Sequence, residues 1–400
     1  MEYIVLAIPF FFLLIAIELV VGKIKGNNTY RLADAVTSLN AGVVSRVNQI
    51  FRAFIPLTVY AVTFEHLALF EWPDTWVTWL AAFVIYDFFY YWLHRYGHEI
   101  NLFWAAHVVH HSSEDYNLST ALRQTSGYLL AFVFFLPMAI LGIPVKILFA
   151  ITSLNLLYQF WVHTQHIGKL GWYELFFITP SNHRVHHAIN EEYIDKNYGG
   201  VFIIWDRMFG TFQEELDDVP CVYGVRKPLH SWNPIWANIQ VYWQLMKDTW
   251  RTESYKDKFL IWFKPTGWRP ADVVEKYPLP KFDMATFKKF DTNTPTWVSG
   301  YVFAQQLLLL AATYLLLSNI ADLSVSEIVA YGLYLLLTAW LFSVYLTSNQ
   351  HIIWLELIRY SAIISVVYFN QSMLLGHSLV GFGVVSIVSL VIIKNSKLVE

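Results

Sequence analysis

Long apolar runs alternate with polar stretches along the chain, in a pattern that predicts helices crossing a membrane. A spanning helix needs about 20 mostly apolar residues. Such runs occupy Tyr3–Val21, closed by Lys23 and Lys25, then Val43–Val62, with Arg46 and Arg52 near its start, and Trp76–Trp92, ending at His94. Gly127–Ile140 and Pro144–Val162 read as a close pair separated by Gly142 and Pro144. A polar stretch from His163 to Thr296 contains no spanning run. Beyond it lie Val298–Ser318, Val329–Leu346, a weaker run at Trp354–Phe369, and Leu374–Ile393. The pattern predicts an all-α, polytopic integral membrane protein with about eight or nine spans.

Composition agrees with that reading. Hydrophobic residues make up 56% of the 400 and charged residues 14%, against about 25% charged in a typical soluble domain. A net charge of −3 gives no case for nucleic acid. The single Cys221 excludes a disulfide framework, a CxxC zinc site and an iron–sulfur cluster. The first run is not expected to be a signal peptide, because Glu2 stands where a basic n-region would lie.

Charge placement predicts orientation. Sixteen of the 27 Lys and Arg fall between Lys169 and Lys289, which the positive-inside rule assigns to the cytoplasm. Glu65–Thr75 and Asn319–Glu327 contain no Lys or Arg and suit the far side. Bacterial inner membrane and endoplasmic reticulum both fit. The expected organisation is N-terminal membrane helices over 1–75, a catalytic unit over 76–215, a cytoplasmic or interfacial linker region over 216–296, and C-terminal membrane helices over 297–400. Trp236, Trp243 and Trp250 recur every seven residues among basic residues. That stripe suits either a helix lying in the membrane interface or one packed on a cytosolic domain.

Ten of the 14 histidines fall in four tight groups: His94 with His98; His107, His110 and His111; His163 with His166; and His183, His186 and His187. Positions i, i+3 and i+4 share one helix face, so each group is expected to offer its imidazoles to one point. Neutral imidazole binds Zn, Cu, Fe and Ni. So many ligands exceed one tetrahedral site and suit two metals sharing the groups. His166 is either a ligand completing a pair with His163 or a polar residue at a helix end. His66, His230, His351 and His377 stand singly and are assigned no chemistry. Asp87 lies seven residues before His94 in an apolar run; it is expected to receive a ligand's second ring N–H, or else to pair with another helix. Glu99, Glu114, Asp115 and Asp195 are able to serve likewise, with Glu114 read as a solvated loop charge.

The motifs in this order between apolar hairpins resemble the fatty acid hydroxylase/sterol desaturase superfamily of integral-membrane non-haem di-iron enzymes. Within it, His98–Gln124, Tyr30–Val47, Leu156–Thr164, Thr179–Phe212 and PTGWRP (Pro265–Pro270) are similar to the alkylglycerol monooxygenase subgroup. The resemblance implies a histidine-rich di-iron domain capping the helical bundle. It places His94, His98, His107, His110, His111, His163, His183, His186 and His187 on the family's metal-ligand positions, and Glu99 on an acidic position of the subgroup. Asn182 and His166 depart from the pattern of some relatives. The resemblance implies two irons, O2 as co-substrate, a lipid substrate whose ether bond is cleaved, and a reduced, tetrahydrobiopterin-like pterin as electron donor. Tyr116, Asn117, Asn197, Tyr198, Trp205 and Asp206 form a candidate pterin stretch or else only build the metal fold. The rivals are a sterol, fatty-acid or carotenoid hydroxylase or desaturase with a protein donor, a metal transporter, and an inactive lipid-binding relative.

Overall fold

The computed structural model describes residues 2–127, 130–347 and 351–369, and beyond these only positions 381, 383, 384 and 386–388. The expected span Leu374–Ile393 and His377 therefore lie outside the described residues, save those positions. The described chain is helical, with three isolated β-bridges and no strand. Its helices are α1 (Glu2–Lys25), α2 (Leu32–Arg52), α3 (Phe54–Leu67), α4 (Trp76–Glu99), α5 (Asn101–His111), α6 (Leu118–Ala121), α7 (Leu136–Ile140) and α8 (Val145–Trp161). They continue with α9 (Pro180–His187), α10 (Ile204–Phe209), α11 (Pro234–Arg251), α12 (Tyr255–Leu260), α13 (Ala271–Lys276), α14 (Thr296–Ser318), α15 (Val325–Thr347) and α16 (Ile352–Phe369).

Among the described residues four helices are long and apolar enough to cross a membrane: α1, from Val5, α4, α14 and α15. The expected span Val43–Val62 is broken: α2 and α3 meet at a 49° bend. Pro56 explains the break, since it has no N–H for the Arg52 carbonyl and its ring would collide with that carbonyl in a continuous helix. Counted as one bent span, the pair brings the total to five among the described residues. The expected pair Gly127–Ile140 and Pro144–Val162 becomes two short apolar helices, Ala131–Ile140 and Val145–Trp161. The first is too short to cross a hydrocarbon layer about 30 Å thick at 1.5 Å per residue. Gly142 makes the turn between them at φ +88°, where a Cβ would meet the Phe70 carbonyl.

Two apolar cores hold this arrangement. One joins α2, α14, α15 and α16 through Val43, Val47, Tyr301, Leu309, Leu335, Phe342 and Ile363. The other joins α3, α4, α7 and α8 through Tyr60, Tyr86, Met138 and Ile147. The C-terminal end of α4 and the residues just after α8 bring His94, His98 and His163 together. Helices α5 and α9 complete the site from outside the spans.

The polar middle of the chain braces this end. Ile100 is extended and pairs with Pro265 at the α4–α5 corner. There Asn101 donates to the carbonyls of Ile261 and Trp268, and Gly267 N–H donates to Asn101. The PTGWRP segment thus fixes the angle between the two helices that carry five of the histidines. Helix α11 lies over α5, burying Ala237 and Leu245 against Val109 and Ala105. Its opposite stripe, Trp236, Ile239, Trp243, Met246 and Trp250, is exposed, with Trp250 at 87%. Of the two readings of the tryptophans, packing against a cytosolic domain does not occur within the described chain.

Candidate metal centre

The local sequence builds each ligand helix. Helix α9 starts on a capping box: the Thr179 hydroxyl accepts the Asn182 N–H, Asn182 Oδ1 accepts the Thr179 N–H, and Pro180 takes the first turn. Helix α4 is capped by Thr75, whose hydroxyl accepts the Thr78 N–H. The nine histidines at the family's positions are all buried.

They form two adjacent groups. His94, His98, His107, His111 and His186 converge on one point, and His110, His163, His183 and His187 on another, with ligand atoms within 4.8 Å of one another in each. The expectation that each HxxHH turns all its histidines to one point is corrected. His107 and His111 serve the first group while His110 serves the second; His183 and His187 serve the second while His186 serves the first. Helical geometry accounts for this. Residues four apart differ by about 40° around the axis, whereas the adjacent pair differs by about 100°. Each motif therefore gives its i,i+4 pair to one centre and its remaining histidine to the other.

The tautomers follow from the outer hydrogen bonds. His94 Nδ1 donates to the Tyr198 carbonyl at 2.6 Å, His110 to Arg123 at 3.1 Å, His163 to Gln159 at 2.7 Å and His186 to Lys196 at 3.0 Å. A neutral imidazole with its proton on Nδ1 has a bare lone pair on Nε2. His110 Nε2 and His163 Nε2 stand 3.3 Å apart, two acceptors facing each other with no proton between. Burial excludes a second proton: it pushes His110 down to about 4, and holds His107, His111, His163, His183, His186 and His187 well below the ordinary imidazole value. His98 Nε2 and His186 Nε2 are buried without any hydrogen-bond partner. Facing lone pairs and orphaned nitrogens in a buried nest fit cations, and the all-imidazole donor set fits iron.

Most of the candidate carboxylates do not stand at a ligand's second ring nitrogen. Asp87 touches no histidine; it accepts from Val201 N, Phe202 N, Trp205 Nε1 and Asn155 Nδ2 and so pins the 199–205 loop. Backbone carbonyls take the N–H groups instead. Asp206 stands behind one of them, accepting from Tyr198 N at 2.7 Å, Gly199 N at 2.8 Å and Thr211 Oγ1 at 2.7 Å. Burial raises its pKa to about 6. Asp195 alone approaches a ligand ring, at 3.5 Å from His98 Nδ1. Glu99 pairs with Arg95 at 2.9 Å and lies outside both groups. His166 also lies outside them, against Gly22 of α1, because the chain turns away from the site after His163.

Glu114 is not a solvated charge: it is buried, accepting from Phe290 N. Asp115 beside it pairs with Arg31 at 2.8 Å and Lys289 at 2.6 Å. Together they tie α2 and the 285–292 segment to the loop after α5. Sequence reasoning missed Arg123, which is buried and donates to Val109 O, Ser112 Oγ and Ser38 Oγ while its carbonyl holds His110. A lone arginine twelve residues past an HH pair carries no spacing signal. In the candidate pterin stretch, Tyr116 stacks on His163 and Tyr223, and Asn197 bridges Asn182 O and Gln213 O.

A cavity of about 170 Å3 opens onto the histidines. His94, His107, His110 and His163 form its inner end, and Leu93, Leu156, Leu157, Phe160 and Phe11 line its walls.

Comparison with known proteins agrees with this geometry. The fatty acid hydroxylase family model matches residues 79–211. The chain is 46% identical over 274 residues to human alkylglycerol monooxygenase, an alignment covering 68% of this chain and 61% of the human protein. It is 37% identical over 371 residues to alkylglycerol monooxygenase of Danio rerio, covering 90% of this chain and 80% of that protein. An ornithine lipid hydroxylase of Rhizobium tropici is 29% identical over 192 residues, 44% of this chain and 56% of that protein. No solved structure matches the chain.

Proposed function

The chain belongs to the fatty acid hydroxylase family, and from that premise we propose that it is a membrane di-iron monooxygenase cleaving the ether bond of alkylglycerol-type lipids with a reduced pterin as electron donor. The observation that carries the reading is the pair of converging histidine groups, with His110 Nε2 and His163 Nε2 facing each other as bare acceptors.

His94, His98, His107, His111 and His186 would hold one iron, and His110, His163, His183 and His187 the other. Irons held there would supply, with O2 and two electrons, the oxidising power to convert a lipid C–H to C–OH, the second oxygen atom leaving as water. The chain's own residues do the rest. The carbonyls of Tyr198, Arg123, Gln159 and Lys196 orient the rings from behind. The apolar cavity walls hold the lipid next to both groups and keep water from the reacting carbon. When that carbon adjoins the ether oxygen, the product is a hemiacetal that falls apart to a fatty aldehyde and a glycerol. Glu99 makes no contact with the reacting atoms on this reading; through Arg95 and the Thr266 N–H on its carbonyl it fastens the α4–α5 corner.

The protein is a multi-pass membrane protein, and the charge pattern supports a cytoplasmic site reached by a diffusible reductant. One incubation with O2, reduced pterin and a chain-labelled alkylglycerol tests the proposal by release of labelled fatty aldehyde. Aldehyde formed only with ferredoxin or cytochrome would favour the rival with a protein donor. A hydroxylated product with the ether intact would favour the ornithine-lipid or fatty-acid type of reaction.

A further inference from the structure

The cavity contains one charged side chain, Arg46, on the second turn before the end of α2. An arginine within an apolar span is costly to keep and marks a functional position by default. Among the described residues no carboxylate lies within 4.0 Å of it, and its hydrogen bond runs to the neutral Gln49 at 2.7 Å. Other arginines near the site have their partners: Arg31 has Asp115, Arg184 has Glu215, and Arg123 has the Val109 carbonyl and the Ser112 and Ser38 hydroxyls. Arg46 thus lines, with no carboxylate partner among the described residues, the same cavity as four buried histidines and its apolar walls.

Gln124 and Thr125 line the same region, and Ser45, next to Arg46, donates to the Thr125 carbonyl. The polar side of the cavity is therefore held in place by α2 itself. A guanidinium is a planar fork suited to two oxygens of a phosphate.

We propose that Arg46 is a head-group residue that binds the phosphate of a phosphate-bearing ether lipid, setting the reacting carbon against His94, His107, His110 and His163. The assignment rests on the lipid-oxidising reading of the site. It makes Arg46 a determinant of preference between charged and neutral heads, a role that leaves the metal ligands untouched.

The test uses full-length, iron-loaded protein in nanodiscs. KM is measured for 1-O-alkylglycerol and for its 3-phosphate in wild type, Arg46→Gln and Arg46→Lys, with iron content and unfolding temperature as checks of folding. Binding of the 3-phosphate is measured separately without O2, by tryptophan quenching. Losing charge-assisted hydrogen bonds lowers the preference for the phosphate lipid by roughly tenfold or more in Arg46→Gln, chiefly through KM, and weakens anaerobic binding in step. Arg46→Lys retains part of both. Arg46→Met, which keeps the apolar stem, replaces the glutamine variant if that variant loses iron. A preference ratio and a binding constant within about twofold of wild type in the charge-removing variant would overturn the proposal. Failure of the wild type to cleave either lipid would count against the ether-lipid reading, while the anaerobic binding comparison still decides the role of Arg46.

Discussion

Replacing Asp206 by alanine separates support of the metal centre from the ligands themselves. The carboxylate is buried and touches no histidine. It accepts from the N–H groups of Tyr198 and Gly199, both buried, and from the Thr211 hydroxyl. Removing it strands two backbone donors at about 1–3 kcal/mol each, so the apo protein loses about 2–6 kcal/mol. The second effect passes through the Tyr198 peptide, whose carbonyl receives His94 Nδ1–H at 2.6 Å. Loss of such outer contacts typically lowers metal affinity ten- to hundredfold. The assay is thermal unfolding of apo protein alongside competition for iron with a graded chelator, with exposed Asp217→Ala as control. The variant is expected to unfold earlier and to lose one iron to the chelator before the other, the weakened one being that of the five-histidine group. Equal affinity of both irons in a destabilised variant would refute the chain of support from Asp206 to His94.

Other outcomes follow from the same geometry. His107→Ala and His110→Ala, three residues apart, are expected to weaken different irons, and Mössbauer spectra of the two variants should retain different iron sites. Burial opposes ionisation of Glu215, but the hydrogen bond and charge of Arg184 at 2.6 Å outweigh it and hold its pKa below the usual carboxylate value. The pair's contribution is therefore full at neutral pH and lost as pH falls through that lowered value. Glu215→Gln should cost about 2–3 kcal/mol at pH 7, and its deficit relative to wild type should shrink in chemical unfolding below about pH 4. Gly142→Ala should lower the unfolding temperature markedly, because it combines a positive φ with a Cβ 1.9 Å from the Phe70 carbonyl. Trp243→Glu, on the exposed stripe of α11, should leave iron content intact and increase protease access to the 234–251 segment in vesicles, if that stripe rests on lipid.

Much of this was legible in the residues. Apolar run length located α1, α4, α14 and α15, since span length follows from bilayer thickness. The crowding of His94 to His111 and His183 to His187 pointed to metal because imidazoles at helical spacing share a face. The division of each HxxHH between two centres was not legible. It depends on where the facing helix lies, and either side of a 100° arc can be the buried one. Pro56 carried the signal for the break after Arg52, but apolar content masked it. The ring partners escaped because the sequence shows carboxylates and hides carbonyls. Asp87 looked like the partner of His94, whereas the Tyr198 carbonyl takes that place and Asp87 holds the neighbouring loop. Glu114 looked solvent-facing because its partner, the Phe290 N–H, is distant in sequence, as are Arg31 and Lys289, which hold Asp115.

The central claim is that nine buried histidines form two metal sites of five and four. Iron analysis of full-length protein reconstituted anaerobically with excess Fe(II) and desalted tests it most directly. The account predicts two irons per chain, falling toward one when either His107 or His110 is replaced by alanine. One iron or none in the folded wild-type protein would contradict it.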